Sequence, residues 1–189
     1  MKPDRLNAFT DGVIAIIITI MVLELRVPDG AGLPALQPLL PIFGAYILSF
    51  IYVGIYWNNH HHMMQSAKRV DGRVLWSNLA LLFWLSLFPF VIRWVDERGM
   101  TAVPVAAFGL VLFMAAIFFR VLEKALIAAE GDSSIIAKAV GSGMKEWLSL
   151  LLYGAGIAAA FFLSPLVAIA SYVAVAVIWF IPDRRFERA

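Results

Sequence analysis

The first apolar stretch of the chain carries an acidic side chain, which is unusual for a segment of this composition. It reads RLNAFTDGVIAIIITIMVLEL from Arg5 to Leu25 and contains Asp11. An ionisable group inside a membrane helix is costly, so it marks either a functional site or a paired structural group. A lone buried carboxylate is strongly unfavourable. We therefore expect Asp11 to find a partner on another helix.

Three apolar residues of the same stretch share one helical face. Ile16, Ile20 and Leu23 stand at positions i, i+4 and i+7. At about 100° per residue they fall within about 60° of one another, while Asp11 points to roughly the opposite side. A stripe of this kind in a membrane helix usually faces lipid or a neighbouring helix, and the alternative is the wall of a pore. The spacing alone leaves both interpretations open.

Polar side chains crowd the end of the second apolar stretch, which reads YWNNHHHMM from Tyr56 to Met64. An antiparallel second helix would bring them level with Asp11. Consecutive histidines lie about 100° apart on a helix, whereas helical zinc pairs use i, i+4 spacing, so we predict no metal site. We predict instead a hydrogen bond or ion pair from His60 or His61 to Asp11, with a pH response because imidazole titrates near neutrality. The alternative is that these residues only cap the helix at the membrane interface.

The composition indicates an integral membrane protein. The chain has 189 residues, of which 62% are hydrophobic and 15% charged, with a mean hydropathy of +0.85. Soluble domains average about 45–50% apolar residues. There is no cysteine, which excludes disulfides, thiol catalysis and cysteine-ligated metals. The net charge of +2 comes from basic residues placed where membrane topology puts them, so no nucleic-acid partner is indicated.

These segments predict an all-α membrane protein with one domain, residues 1–189. The apolar run from Trp147 to Pro182 is too long for one crossing, because about 20 helical residues span a bilayer core, and Ser164-Pro165 near its middle predicts a break. We therefore predict six transmembrane helices, over residues 6–25, 38–62, 74–94, 103–128, 146–163 and 165–182.

The basic residues predict the orientation of these helices. With both termini in the cytoplasm, the 15 Lys and Arg residues all face that side except Arg26, Arg93 and Arg98. This distribution follows the enrichment of basic residues in cytoplasmic loops. We expect a multi-pass protein of the plasma membrane. The outer side carries acids that could raise the local cation concentration or be ordinary loop residues: Glu24, Asp29, Asp96 and Glu97.

The motifs of the first two helices resemble those of the transmembrane protein 175 family of potassium channels. The likeness lies in an arginine, then F-[ST]-D-G four residues on, then A-I-x-I-T-x-x-V-L-E, and a second helix ending in Y-W-x-x-H-H. In that family the arginine and the following motif form a structural network near the cytoplasmic end of helix 1. The resemblance implies that the network here comprises Arg5, Phe9, Thr10 and Asp11, with Trp57, His60 and His61 as neighbours.

The resemblance also implies a pore. Helix 1 lines a central channel in that family, and rings of isoleucine and leucine narrow it. The matching positions here are Ile16, Ile20 and Leu23, and Thr19 would offer a hydroxyl to a passing ion. A hydrophobic constriction favours the ion that loses water more cheaply, which is potassium over sodium. One six-helix unit per chain implies a homotetramer, conducting monovalent cations such as K⁺ without a bound cofactor.

Two other functions are alternatives. A proton-coupled secondary transporter would use Asp11 and the histidines as a relay, but the broken helices or inverted repeats typical of such transporters are not evident. A membrane enzyme would use the histidine cluster, but no acidic pair with metal-ligand spacing lies at the same depth. We therefore expect a channel that catalyses no reaction.

Overall fold

The computed structural model describes residues 3–131, 136–137 and 143–180, and these residues contain helices and no strand. A short 3₁₀ helix, Leu33–Leu39, leads into the second α-helix. The α-helices, which we number in chain order, are α1 Pro3–Leu23, α2 Leu40–Gln65, α3 Gly72–Leu85, α4 Phe88–Arg98, α5 Ala102–Glu130, α6 Met144–Phe162 and α7 Pro165–Phe180.

Four segments are long and apolar enough to cross a membrane. They are Pro3–Leu23, Leu33–Gln65, Gly72–Arg98 and Ala102–Glu130, and the helix Pro165–Phe180 is apolar but shorter. The predicted all-α fold with several apolar helices is confirmed. The count of six membrane crossings stays a prediction, and the last two residues of its sixth helix lie outside the described residues.

The predicted third helix, over residues 74–94, is in fact two helices. Helix α3 ends at Leu85 and α4 begins at Phe88, with Pro89 in its first turn. Proline has no N–H to donate and clashes with the carbonyl four residues earlier, so the helix breaks ahead of it. The Ser86 hydroxyl donates to the Phe83 carbonyl oxygen, 2.7 Å away, and satisfies one of the freed acceptors.

The loop before α3 provides a helix cap. The carboxylate of Asp71 accepts a hydrogen bond from the backbone N–H of Val74, at 3.0 Å. That bond favours the ionised form and lowers the pKa of the Asp71 carboxyl. A side-chain oxygen at this position satisfies one of the unpaired N–H groups of the first turn, which defines where α3 begins.

Helix α5 lies at the centre of the bundle, in contact with α3, α4, α6 and α7. A close contact is made by Tyr172 of α7, whose ring fits between Gly109 of α5 and Gly156 of α6. An added Cβ at either glycine would overlap the tyrosine side chain. Helix α1 packs at the edge of the bundle against α2, α3 and α4. One of its faces is therefore left uncovered.

Candidate functional site

The buried and exposed faces of α1 divide along its whole length. Its buried residues lie on the side that contacts the neighbouring helices, and they are Leu6, Thr10, Ile14, Ile17 and Met21. They recur at i, i+4, i+8, i+11 and i+15, as expected for one face of a helix. The opposite side is exposed, as at Gly12, Ile16 and Thr19.

The three residues of the predicted constriction all lie on the uncovered face. Ile16 is 58% exposed, Ile20 41% and Leu23 79%. Gly12, on the same face nearer the N-terminal end of α1, is also exposed, and an added Cβ there would meet no atom within 4 Å. A face with a glycine can come close to another helix. The i, i+4 and i+7 positions of the three residues agree with their exposure on one face of α1.

Thr19 places a hydroxyl group beside the three apolar residues of the stripe. The Thr19 Oγ1 donates a hydrogen bond to the backbone oxygen of Ile16, 2.8 Å away, and the side chain is exposed. Donation uses the hydroxyl proton and leaves lone pairs on the oxygen, since a hydroxyl has one donor and two acceptor sites. Thr19 therefore presents an oxygen acceptor between the levels of Ile16 and Ile20.

At the N-terminal end of α1, a buried chain of hydrogen bonds joins α1, α3 and α2. Asn78 Nδ2 donates to Thr10 Oγ1 at 2.9 Å, and Asn78 Oδ1 lies 2.8 Å from His60 Nε2. The three side chains are at most 1% exposed. Because Oδ1 can only accept, His60 Nε2 must carry the proton. Thr10 and His60 of the predicted network are thus connected through Asn78. The sequence motifs do not predict that Asn78 lies between them.

The partner of Asp11 is Trp57, and the predicted bond from a histidine is wrong. Trp57 Nε1 donates to Asp11 Oδ1 at 2.9 Å. His60 instead contacts Asn78, and His61 stacks on Trp57 with ring centroids 5.6 Å apart. A helical wheel gives directions around one helix but not the rotation of one helix relative to another. The longer indole of Trp57 reaches the carboxylate that the imidazoles do not face.

His61 also has a partner of its own, the side chain of Gln65. The amide Nε2 of Gln65 lies 2.8 Å from His61 Nε2, and the amide nitrogen can only donate. The successive histidines therefore point to different neighbours. Within the described ranges, no group of three or more His, Cys, Asp or Glu side chains is placed to hold a metal ion.

Two predicted members of the network lie on the open side of α1. Arg5 is exposed and Phe9 is 50% exposed. Among the described residues, Arg5 forms no ion pair. The chain by itself brings Thr10, Asp11, Trp57, His60 and His61 together but leaves these two facing outward.

At the other end of α1, ion pairs connect the following loop to α4. Arg26 Nε lies 2.5 Å from Asp96 Oδ2, and Arg93 Nη1 lies 3.8 Å from Glu24 Oε2. Arg93 also binds Glu97, with 3.0 Å between Nε and Oε1. Three of the four acids that the sequence predicts on the outer side are therefore paired with arginine, and this pairing largely cancels their negative field.

Comparison with known proteins adds the family context. The family model described as "Endosomal/lysosomal potassium channel TMEM175" matches residues 5–89. A potassium channel of Chryseobacterium sp. (strain P1-3) is 53% identical over 189 residues, which cover 100% of this chain and 98% of that protein. A potassium channel of Streptomyces collinus is 35% identical over 126 residues, covering 62% of this chain and 61% of the relative.

A solved structure has the same fold. The crystal structure of a lysosomal potassium-selective channel TMEM175 homolog from Chamaesiphon minutus superposes with a TM-score of 0.82, covering 96% of this chain and 97% of that one, at 24% sequence identity. At this identity the match speaks for the fold alone. It extends over helices that the family model does not reach.

Proposed function

Because the chain belongs to the TMEM175 family of potassium channels, we propose that its α1 helix lines a potassium-permeable pore with a hydrophobic constriction. The observation that carries the proposal is the uncovered face of α1, on which Ile16, Ile20 and Leu23 are 41% to 79% exposed. The other face of α1 packs against α2, α3 and α4, so this face can contact lipid, ions or another copy of the chain.

The composition of that face favours a pore over lipid. Thr19 shares it with the three apolar residues and presents an oxygen acceptor there, which a passing cation can use and a hydrocarbon chain cannot. Gly12 allows close approach of a second helix at the cytoplasmic end. Symmetric closure is the rule for assemblies of identical chains, so we propose a homotetramer in which four copies of α1 surround the ion path.

Modest selectivity for potassium over sodium follows from the chemistry of the constriction. Apolar rings supply no ligands to replace water, so the ion with the lower dehydration cost passes more easily. Thr19 offers the ion an oxygen at this level. No bound cofactor is needed for this mechanism. We propose the plasma membrane as the location, with both termini in the cytoplasm.

A proton-coupled transporter remains the second candidate from the sequence, and the contacts do not favour it. Its relay would need Asp11 next to His60 or His61, whereas Asp11 accepts from Trp57 and His60 Nε2 is hydrogen bonded to Asn78. An indole N–H is a donor only and cannot pass a proton on. The channel is therefore the function that the geometry supports best.

The experiment is ion flux from liposomes containing the purified protein, with Ile16→Asn, Ile20→Asn and Leu23→Asn. We expect each variant to raise the flux and to bring the potassium and sodium rates closer together, because a polar side chain removes the dewetting barrier. Val22→Asn is the matched control: it is also exposed, at 47%, but lies about 100° around α1 from Leu23. Flux unaltered by all three changes would contradict the proposal that these residues form a constriction. Saturable uptake of a substrate would favour the transporter.

A further inference from the structure

An apolar cavity of about 220 Å³ lies between α2, α4, α5 and α7, away from the uncovered face of α1. Its wall includes Gly44 and Ala45 of α2, Val95 of α4, Phe108 of α5 and Ile169 of α7. The lining residues of α2, α5 and α7 belong to the first three turns of those helices. With the N-terminus in the cytoplasm, all three helices begin on the outer side, so the cavity lies in the outer half of the membrane.

Gly44 and Ala45 add little side-chain volume to the wall of the cavity. Gly44 is exposed, and an added Cβ there would meet no atom within 4 Å. The lining is almost wholly carbon. Water needs two to four polar partners in a buried site, and a dry apolar cavity of about 150 Å³ is large enough to bind benzene. The cavity here is larger, so its chemistry and size suit a hydrocarbon.

The cavity is continuous with the apolar outer surface of the bundle. Val173 of its wall is 42% exposed, and the neighbouring residues Phe43 and Ile47 of α2 are 38% and 53% exposed. No charged side chain belongs to the wall. Nothing there would recognise a polar headgroup, but a hydrocarbon chain can enter from the bilayer without leaving apolar surroundings.

We propose that this cavity is a hydrocarbon-binding site that holds a segment of an acyl chain from an outer-leaflet lipid. The occupant restores the dispersion contacts that the lining atoms otherwise lack on one side. The site is separate from the ion path, so its occupancy is measured without any readout of conduction. Failure of the pore proposal would leave this one standing, and the reverse also holds.

Photo-crosslinking in nanodiscs tests the site. The probe is a phosphatidylcholine with a diazirine on its acyl chain, and adducts are mapped by mass spectrometry after digestion. In the unchanged chain we expect adducts on the peptide that carries Val105 and Phe108. Gly44→Leu adds a side chain at the wall of the cavity and leaves less room for the acyl chain. We expect these adducts to fall about tenfold, which is the effect of about two methylene groups that are no longer buried.

Two further variants control the experiment. Gly54→Leu makes the same change on the same helix, at another glycine whose added Cβ would meet nothing within 4 Å and which is not part of the wall; we expect its adducts to match the unchanged chain. Gly44→Ala adds one methyl group and should give an intermediate loss. Equal labelling of Gly44→Leu and the unchanged chain overturns the proposal. Absence of adducts from this peptide in the unchanged chain also overturns it, whether the cavity is empty or filled by a second copy of the chain.

Discussion

The two ends of α1 are held by different kinds of interaction. At the N-terminal end, Thr10, Asn78 and His60 form neutral hydrogen bonds with side chains at most 1% exposed. At the C-terminal end, the arginines of the ion pairs are exposed: the side chain of Arg26 is 59% accessible and that of Arg93 63%. The carboxylates that they pair with are more covered, at 12% for Asp96 and 22% for Glu24. One end is fixed inside the bundle, and the other is fixed at its surface.

The difference predicts which end of α1 can move more easily. Leaving a buried polar group without its partner costs about 1–3 kcal/mol, whereas an exposed ion pair contributes about 0–1 kcal/mol and is screened by salt. The N-terminal end of α1 is therefore the stronger anchor. Leu23, the most exposed residue of the proposed constriction at 79%, lies at the weaker end. We expect opening motions to begin there.

The largest effect should come from Asn78→Leu, which leaves both Thr10 and His60 without their partner. We expect the free energy of unfolding to fall by about 2 kcal/mol or more, measured as a lower thermal midpoint in detergent. Asn59→Leu is the matched control, because the Asn59 amide bonds only to the Ile55 carbonyl of its own helix. Equal midpoints for the two variants would show that the buried chain is not the anchor.

A smaller effect is expected from Trp57→Phe at the same end. The change removes the N–H that binds Asp11 but keeps an aromatic ring to stack on His61, so the loss should be about 1 kcal/mol. Asp11→Asn keeps an oxygen that accepts from Trp57 and should cost less. Thermal midpoints and the yield of assembled protein measure both. If Asp11→Asn were the more harmful change, the charge of Asp11 and not its hydrogen bond would hold the helix.

The smallest effect should come from Asp96→Asn at the C-terminal end of α1. Loss of the pair with Arg26 is expected to cost less than about 1 kcal/mol and to disappear in about 1 M salt, where the screening length is about 3 Å. The double change Arg26→Glu with Asp96→Arg should restore the midpoint. Asp29→Asn, an exposed outer acid without an ion pair among the described residues, is the control. A cost as large as that of Asn78→Leu would reverse the comparison of the two ends.

Much of the fold and of the stripe was predictable from spacing within one helix. The positions i, i+4 and i+7 placed Ile16, Ile20 and Leu23 on one face, and Ser164-Pro165 marked the break between α6 and α7. These predictions succeed because hydrophobic period and proline geometry are local properties of the chain. Proline also explains the break ahead of Pro89. The apolar residues continue without interruption on both sides of it, and for this reason the sequence predicts one helix there.

Partners across helices were harder to predict. Asp11 was assigned to a histidine, because depth in the membrane can be estimated from sequence and helix rotation cannot. Asn78 lies on α3, 68 residues from Thr10 and 18 from His60, so only the packing of three helices reveals its position between them. The outer ion pairs likewise depend on how the loop after α1 meets α4.

The contact of Tyr172 with two glycines bears on the order in which the molecule is built. A chain is synthesised from its N-terminus, so α5 and α6 leave the ribosome before α7. Gly109 and Gly156 form a slot that only the last of these helices completes. Helix α7 therefore packs after α5 and α6 are in place. We expect a bulkier residue at either glycine to block the packing of α7, while the earlier helices assemble normally.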